Sequence, residues 1–306
     1  MKKYSALTLA LLLAPWGAEA QSVPSKDTEK KSYFKDAPSY ATQPETDPPR
    51  YVRTLSKTGI DAFKDLYWLE GNIQTRYRFE HRPNDFRRTT SRVDNPSLLR
   101  TRAYLSVKEI ADPFRATVEI QDSRRYNSQF PRDDRDWNTL DILQGYGELY
   151  LKEAAAGKTV SLRAGRMAFE ELDRRLIARN EWRNTTNNFQ GIRTLWGTKD
   201  DPWQIDAFAF NPIIRDVSED DDISKRQLFY GGILHLRENS RIVTWQPFFL
   251  GLKQNGRPGL IDRNIYSPGL RAYGWFGDSG FDYDGSVVYQ FGRNGTQTHQ
   301  ALGTVA

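Results

Sequence analysis

The chain has no cysteine, which excludes a disulfide framework and thiolate metal sites. It has only three histidines, His81, His235 and His299, on three separate segments. No nucleophile or metal-ligand motif accompanies them, so the sequence recommends no enzyme and implies no cofactor or metal. Beyond the first twenty residues no apolar run approaches the roughly 20 residues of a membrane-spanning helix. Hydrophobic residues are scarce for a large soluble core, at 38% with a mean hydropathy of -0.71. Aromatics, at 13%, are too abundant for a solvated coil. A water-centred barrel satisfies both facts, because it needs one apolar residue in two and favours aromatics at the membrane interfaces. No basic recognition helix is present, and Lys and Arg are interleaved with Asp and Glu, so nucleic acid is not expected as a partner. The net charge of +5 is a mild bias toward anionic partners.

What is present begins with MKKYSALTLALLLAPWGAEA, whose two lysines, short apolar stretch and Ala18-Glu19-Ala20 ending read as a secretory signal cleaved near Ala20. Residues 21–66 are polar, proline-bearing and without period, which predicts a flexible periplasmic extension ending in a short helix near Ile60 to Leu66. From Leu69 the sequence alternates. In LEGNIQTRYRFEHR, from Leu69 to Arg82, Leu69, Gly71, Ile73, Thr75, Tyr77 and Phe79 fall on one parity and Glu70, Asn72, Gln74, Arg76, Arg78 and Glu80 on the other. Successive side chains of a strand point to opposite faces, so this strand has one apolar wall and one charged wall. The pattern recurs in LLRTRAYLSVK, FRATVEIQDS and LQGYGELYL, where Leu143, Gly145, Gly147 and Leu149 form the apolar parity. Further strands are expected over 159–166, 189–196, 203–211, 227–236, 242–253, 267–276, 281–293 and from 298 onward. The fold class is therefore all-β, an antiparallel transmembrane β-barrel with about 12 strands visible over residues 67–306. Short turns alternate with long loops after Arg82, Arg125, Phe169, Asn211 and Gln254, as in an outer-membrane barrel with periplasmic turns and external loops.

If the apolar parity meets lipid, the other lines a channel. Arg76, Arg78, Arg100, Arg102, Arg115, Arg163, Arg193 and Arg271 fall on or near that parity. Their planar, permanently charged forks suit carboxylates, so together they could guide an anionic chain. Glu70, Glu80, Glu119, Glu148, Asp206 and Asp282 share the wall, and each arginine fits a structural ladder as well as a substrate track. In RRLIARNEWRNTT, Arg174, Arg175, Arg179, Trp182, Arg183 and Asn184 form a loop suited to gating the mouth or binding a polyanion, and equally to lipopolysaccharide phosphates. The acidic runs 133–136 and 219–222 could hold calcium or be solvated loop tips.

RYRFEHR, LLRTRAYLSV, FRATVEIQDSRRY, DILQGYGELYL, SLRAGRMAF and above all RRLIARNEWRNTTNNFQGIRTLW together resemble the alginate-export (AlgE-type) family of bacterial outer-membrane proteins. The resemblance runs from about Leu66 onward. It implies passive export of an anionic polysaccharide, an alginate-like polyuronate, through an arginine-rich lumen in the bacterial outer membrane. It also implies about eighteen strands, so the chain is expected to be a truncated barrel, incomplete at its C-terminal end. The rival readings are a porin-like channel for small organic anions or other solutes, and a non-conducting surface-binding or structural barrel. Expected partners are outer-membrane lipid, lipopolysaccharide, the anionic polysaccharide or small anionic solute, and periplasmic export components.

Overall fold

The structure, a computed structural model, describes residues 46–83, 92–237, 240, 242–257, 261–275 and 281–305. The signal segment and the first part of the extension lie outside the described residues. Strands follow in chain order: β1 (Arg53–Thr54), β2 (Leu69–Phe79), β3 (Ser97–Val107), β4 (Phe114–Tyr126), β5 (Asn138–Ala155), β6 (Lys158–Met167), β7 (Phe189–Trp196), β8 (Trp203–Ile214), β9 (Asp222–Ile223), β10 (Gln227–Leu236), β11 (Thr244–Gln254), β12 (Arg263–Trp275), β13 (Asp282–Asn294) and β14 (Gln297–Val305). All join one antiparallel sheet in which sequence neighbours pair, with β9 attached to the end of β8. Among the described residues β1 and β14 are the two ends of this path and are not paired with each other. In place of the expected helix near 60–66 there are 3-10 turns over Leu55–Lys57 and Asp61–Phe63.

Exposure decides which wall is which. Ile73 and Tyr77 are 68% and 66% exposed, whereas Arg100 and Arg102 on the opposite face are 1% exposed. The apolar parity therefore points outward from the sheet. The other face is concave, and one loop shows this. The segment 168–188 between β6 and β7 reaches Arg76 of β2 through its backbone. Its Leu172 belongs to a cluster that also holds Phe208, Phe248 and Leu250, with Val288 of β13 packed against it. A flat sheet could not bring β2 and β13 to the same loop, so the sheet curls around it as a barrel wall.

The connections sort by end as expected. Those over 108–113, 156–157 and 197–202 are short and lie at one end, while 127–137, 168–188 and 215–226 are long and lie at the other. The β13–β14 turn, 295–296, is a short one at the long-loop end. The stretch EAAAGK is less of a turn than its composition suggests, since β5 runs through Ala155 and only Ala156 and Gly157 turn, both left-handed at φ 52° and 66°. Such a mirror-type turn matches the strand twist.

One assignment of faces is corrected. Leu143, placed on the outward parity, is completely buried. The β4–β5 register shifts between Glu119 and Ile120, which pair with Gln144 and Ile142, so Leu143 is the extra residue of a bulge. A bulge reverses parity beyond it, which is why Ile142 and Leu140 point outward instead. Nearby, Gly165 has φ 137°, and a Cβ there would lie 2.3 Å from the Gly145 carbonyl oxygen. Gly165→Val should destabilise the folded barrel by about 2 kcal/mol or more. Loss of the heat-modifiable folded band on gels, or a lower urea midpoint, would register it.

Candidate functional site

The concave face is not an empty track, because two segments of the chain lie in it. The larger is the loop 168–188. Its first half is held by apolar contact. Phe169, Leu172 and Ile177 pack with Tyr146, Met167, Phe208, Phe210, Ile233, Phe248 and Leu250. Phe169 meets Phe208 edge-on with ring centroids 5.4 Å apart. Burying three such side chains contributes about 1.5–3 kcal/mol each. The wall residues in this cluster correct the expectation that the inner parity is polar throughout: Phe208 and Phe210 share the parity of Asp206 and Gln204, with Ala207 and Ala209 turned outward.

The second half of the loop is held by charge. Glu181 accepts Arg102 Nη1 at 2.9 Å and Nη2 at 3.1 Å. Arg100 Nη2 lies 3.1 Å from the same carboxylate and Arg179 Nε donates to it at 3.1 Å. Burial alone would raise the Glu181 pKa, but Arg102, Arg179 and Arg100 hold it well below the usual carboxylate range. Arg76 Nη1 donates to the Glu181 carbonyl and its Nη2 to the Arg183 carbonyl, both at 2.6 Å. Arg78 donates to the Trp182 carbonyl, and its guanidinium sits 4.5 Å from the centre of the Trp182 ring.

The remaining expected site residues are placed as follows. Arg163 donates to Glu148 at 2.9 Å and to Asp47. Arg193 donates to Asp206 at 2.6 Å and to Glu171 at 3.0 Å. Arg271 grips Asp284 with two donors, at 2.8 and 2.7 Å. Arg115 is drawn down to Asp112 in the turn below it, at 2.7 Å. In the loop, Asn184 is completely buried, and its Nδ2 reaches the carbonyls of Leu99, Arg124 and Asp136 at 3.0–3.1 Å. That geometry makes it a bolt between the loop and the wall. Arg174 is half-buried, Arg175 exposed and Arg183 half-buried, while Trp182 is 58% exposed. In the first acidic run, Asp136 and Asp133 turn to Arg125.

Sequence reading missed Glu171, Glu181 and the extension. Glu171 lies at the start of a single 3-10 turn (Leu172–Arg174) and inserts beside Asp206, with both carboxylates on Arg193. Burial first, and then the Asp206 charge, push its pKa up to about 7. Residues 46–54, read as part of a flexible extension, run across the concave face. Arg53 and Thr54 pair with Gly71 and Glu70, the Tyr51 hydroxyl donates to Glu119 at 2.9 Å, and Asp47 reaches Arg163. Glu119 also accepts Arg179 at 3.5 Å, so the two inserted segments meet on one buried carboxylate.

The arrangement holds carboxylates of the chain itself on guanidinium forks. No curated protein matches the chain significantly. The family model described as alginate export matches residues 67–306, the whole of the sheet from just before β2, and the chain belongs to the alginate export family.

Proposed function

We propose that the protein is an outer-membrane channel for passive export of an anionic polysaccharide of the polyuronate kind. The observation that carries this is the convergence of Arg100, Arg102 and Arg179 on the single carboxylate of Glu181 inside the barrel wall. Each uronate residue carries such a carboxylate, and when the loop 168–188 moves aside, taking Arg179 with it, the Arg100 and Arg102 forks of β3 can take it. Arg76 and Arg78 extend the patch toward the outer end of β2. Passage requires that each contact be weak enough to break, so a row of partly neutralised arginines suits conduction better than an isolated strong site. Membership of the family supports transport as the activity and the outer membrane as the location. The position of the loop in the lumen favours a second reading while it stays docked: a narrower passage for small organic anions.

In planar bilayers the full-length protein should prefer anions and be blocked by polyuronate. Replacing Arg76, Arg100 and Arg193 together by glutamine should raise the half-blocking concentration about tenfold, the equivalent of ~1.4 kcal/mol. Cation selectivity in the parent, or unchanged selectivity and block in the variant, would overturn the reading. Current carried by glucuronate monomer with no block by polymer would favour the small-anion alternative.

A further inference from the structure

We propose that residues 46–54 are a latch across the lumen in which Asp47 stands in for a substrate carboxylate, and that Arg163 is the carboxylate-binding subsite it covers. This rests on the reading of the lumen as a path for an anionic chain.

The segment enters beside β2 and crosses the concave face to β6. Its backbone hold on the wall is short. β1 is a two-residue pairing, and beyond it the Tyr51 carbonyl accepts Asn72 Nδ2 at 2.9 Å. The Tyr51 hydroxyl adds one bond to Glu119. The Asp47 side chain is 38% accessible where it meets Arg163, whereas Glu148, the other partner of that arginine, is 4% accessible. The two carboxylates on Arg163 are therefore unlike: Glu148 is a fixed part of the wall, and Asp47 is a removable occupant. If Asp47 leaves, Arg163 keeps Glu148 at 2.9 Å and remains in place. Burial would raise the Asp47 pKa, but Arg163, Arg193 and Lys199 together hold it well below the usual carboxylate range. Lys199 belongs to the turn 197–202, which sets this cationic pocket toward the short-turn end, where a polymer bound outward would arrive first. The Arg163, Arg193 and Lys199 cations that hold Asp47 would meet a substrate carboxylate in the same way, so a polymer presenting one carboxylate per sugar can displace it by exchange, through repeated local encounters.

The absence of cysteine allows a direct test. Val52, within the latch itself, is 7% exposed. Val52→Cys in the otherwise intact protein should react slowly with a thiol reagent, and about fivefold faster when a polyuronate oligosaccharide is added. A neutral oligosaccharide of equal length should leave the rate unchanged. Adding Asp47→Asn should raise the basal rate by a similar factor and remove the response to polyuronate. Asp47→Asn labelling like its parent would overturn the latch. A polyuronate that blocks current but leaves Val52→Cys slow would overturn the subsite while the export reading stood. A polyuronate that neither blocks nor speeds labelling would remove the export reading and the subsite together.

Discussion

Replacing Glu181 by alanine is expected to free the second half of the loop 168–188 from the lumen and to raise single-channel conductance severalfold. The carboxylate is 5% accessible and three arginines converge on it. Removing one partner of such a buried arrangement leaves uncompensated cations behind and costs about 3–5 kcal/mol. The wall has its own ladder of backbone hydrogen bonds and need not unfold, whereas the loop can leave. Phe169, Leu172 and Ile177 still hold the first half, so the released part should begin near Ala178. The contacts that remain, among them those of Arg76 and Arg78 to the carbonyls of residues 181–183 and of Asn184 to the carbonyls of Leu99, Arg124 and Asp136, all depend on the loop already lying against the wall. The expected signature is new tryptic cleavage at Arg179 or Arg183 with unchanged heat-modifiable migration of the barrel. Glu181→Gln should fall between parent and alanine, because it keeps the shape and loses the charge. Conductance and cleavage identical to the parent would show that the loop is not held in this way.

The wall was legible because its two solvents write themselves into alternate residues. β7 and β10 end where the periodicity of FQGIRTLW and QLFYGGILHL says they should, and β2 begins at Leu69 as the alternation says but ends at Phe79, short of Arg82. The inward direction of Arg100, Arg102, Arg193 and Arg271 followed from the same rule. Leu143 did not follow it, since a bulge depends on the register with β4 and leaves no mark in its own strand. Phe208 and Phe210 were in plain view in WQIDAFAF, on the parity of Asp206. That parity predicts inward aromatics once the large residues are counted apart from the alanines. The occupants of the lumen were harder. Arg102 and Glu181, and Arg163 and Asp47, are far apart in the chain, and neither acidic residue sits in a periodic segment. A lone glutamate inside RNEWRNTT, among arginines, was the one available signal.

A common device links these occupants. On the inner face, guanidinium groups are met by carboxylates that the chain supplies from outside the long strands. Glu181 comes from the long loop 168–188, Asp47 from the N-terminal segment. Both have pKa values held low by their arginines, so both stay ionised at any ordinary pH and neither responds to a change in it. Glu171 is the exception, because it is brought to an arginine that Asp206 already occupies.

Loop docking should therefore weaken as the pH rises, and conductance should increase from about pH 4.5 to above pH 7. The sign follows from the direction of the shift. Burial and Asp206 raise the Glu171 pKa in the docked loop to about 7, from 4.5 when it is free. Docking is then fully supported below the free value and loses support as the pH passes through the docked one. Facing Glu171 are Arg193 on β7, Asp206 on β8, Lys199 in the turn between them, and His235 on β10, whose Nε2 is 4.0 Å from its carboxylate. Protonated, Glu171 can share a hydrogen with Asp206 beneath Arg193; ionised, it sets two anions against one guanidinium. Glu171→Gln keeps a hydrogen-bond donor beside Asp206 at every pH, and should hold conductance at its low-pH value throughout. His235→Gln tests the neighbouring ring separately and should leave the rise in place. Single-channel recordings from pH 4 to 8 would decide it: a rise that survives Glu171→Gln unchanged would assign the pH response to another group.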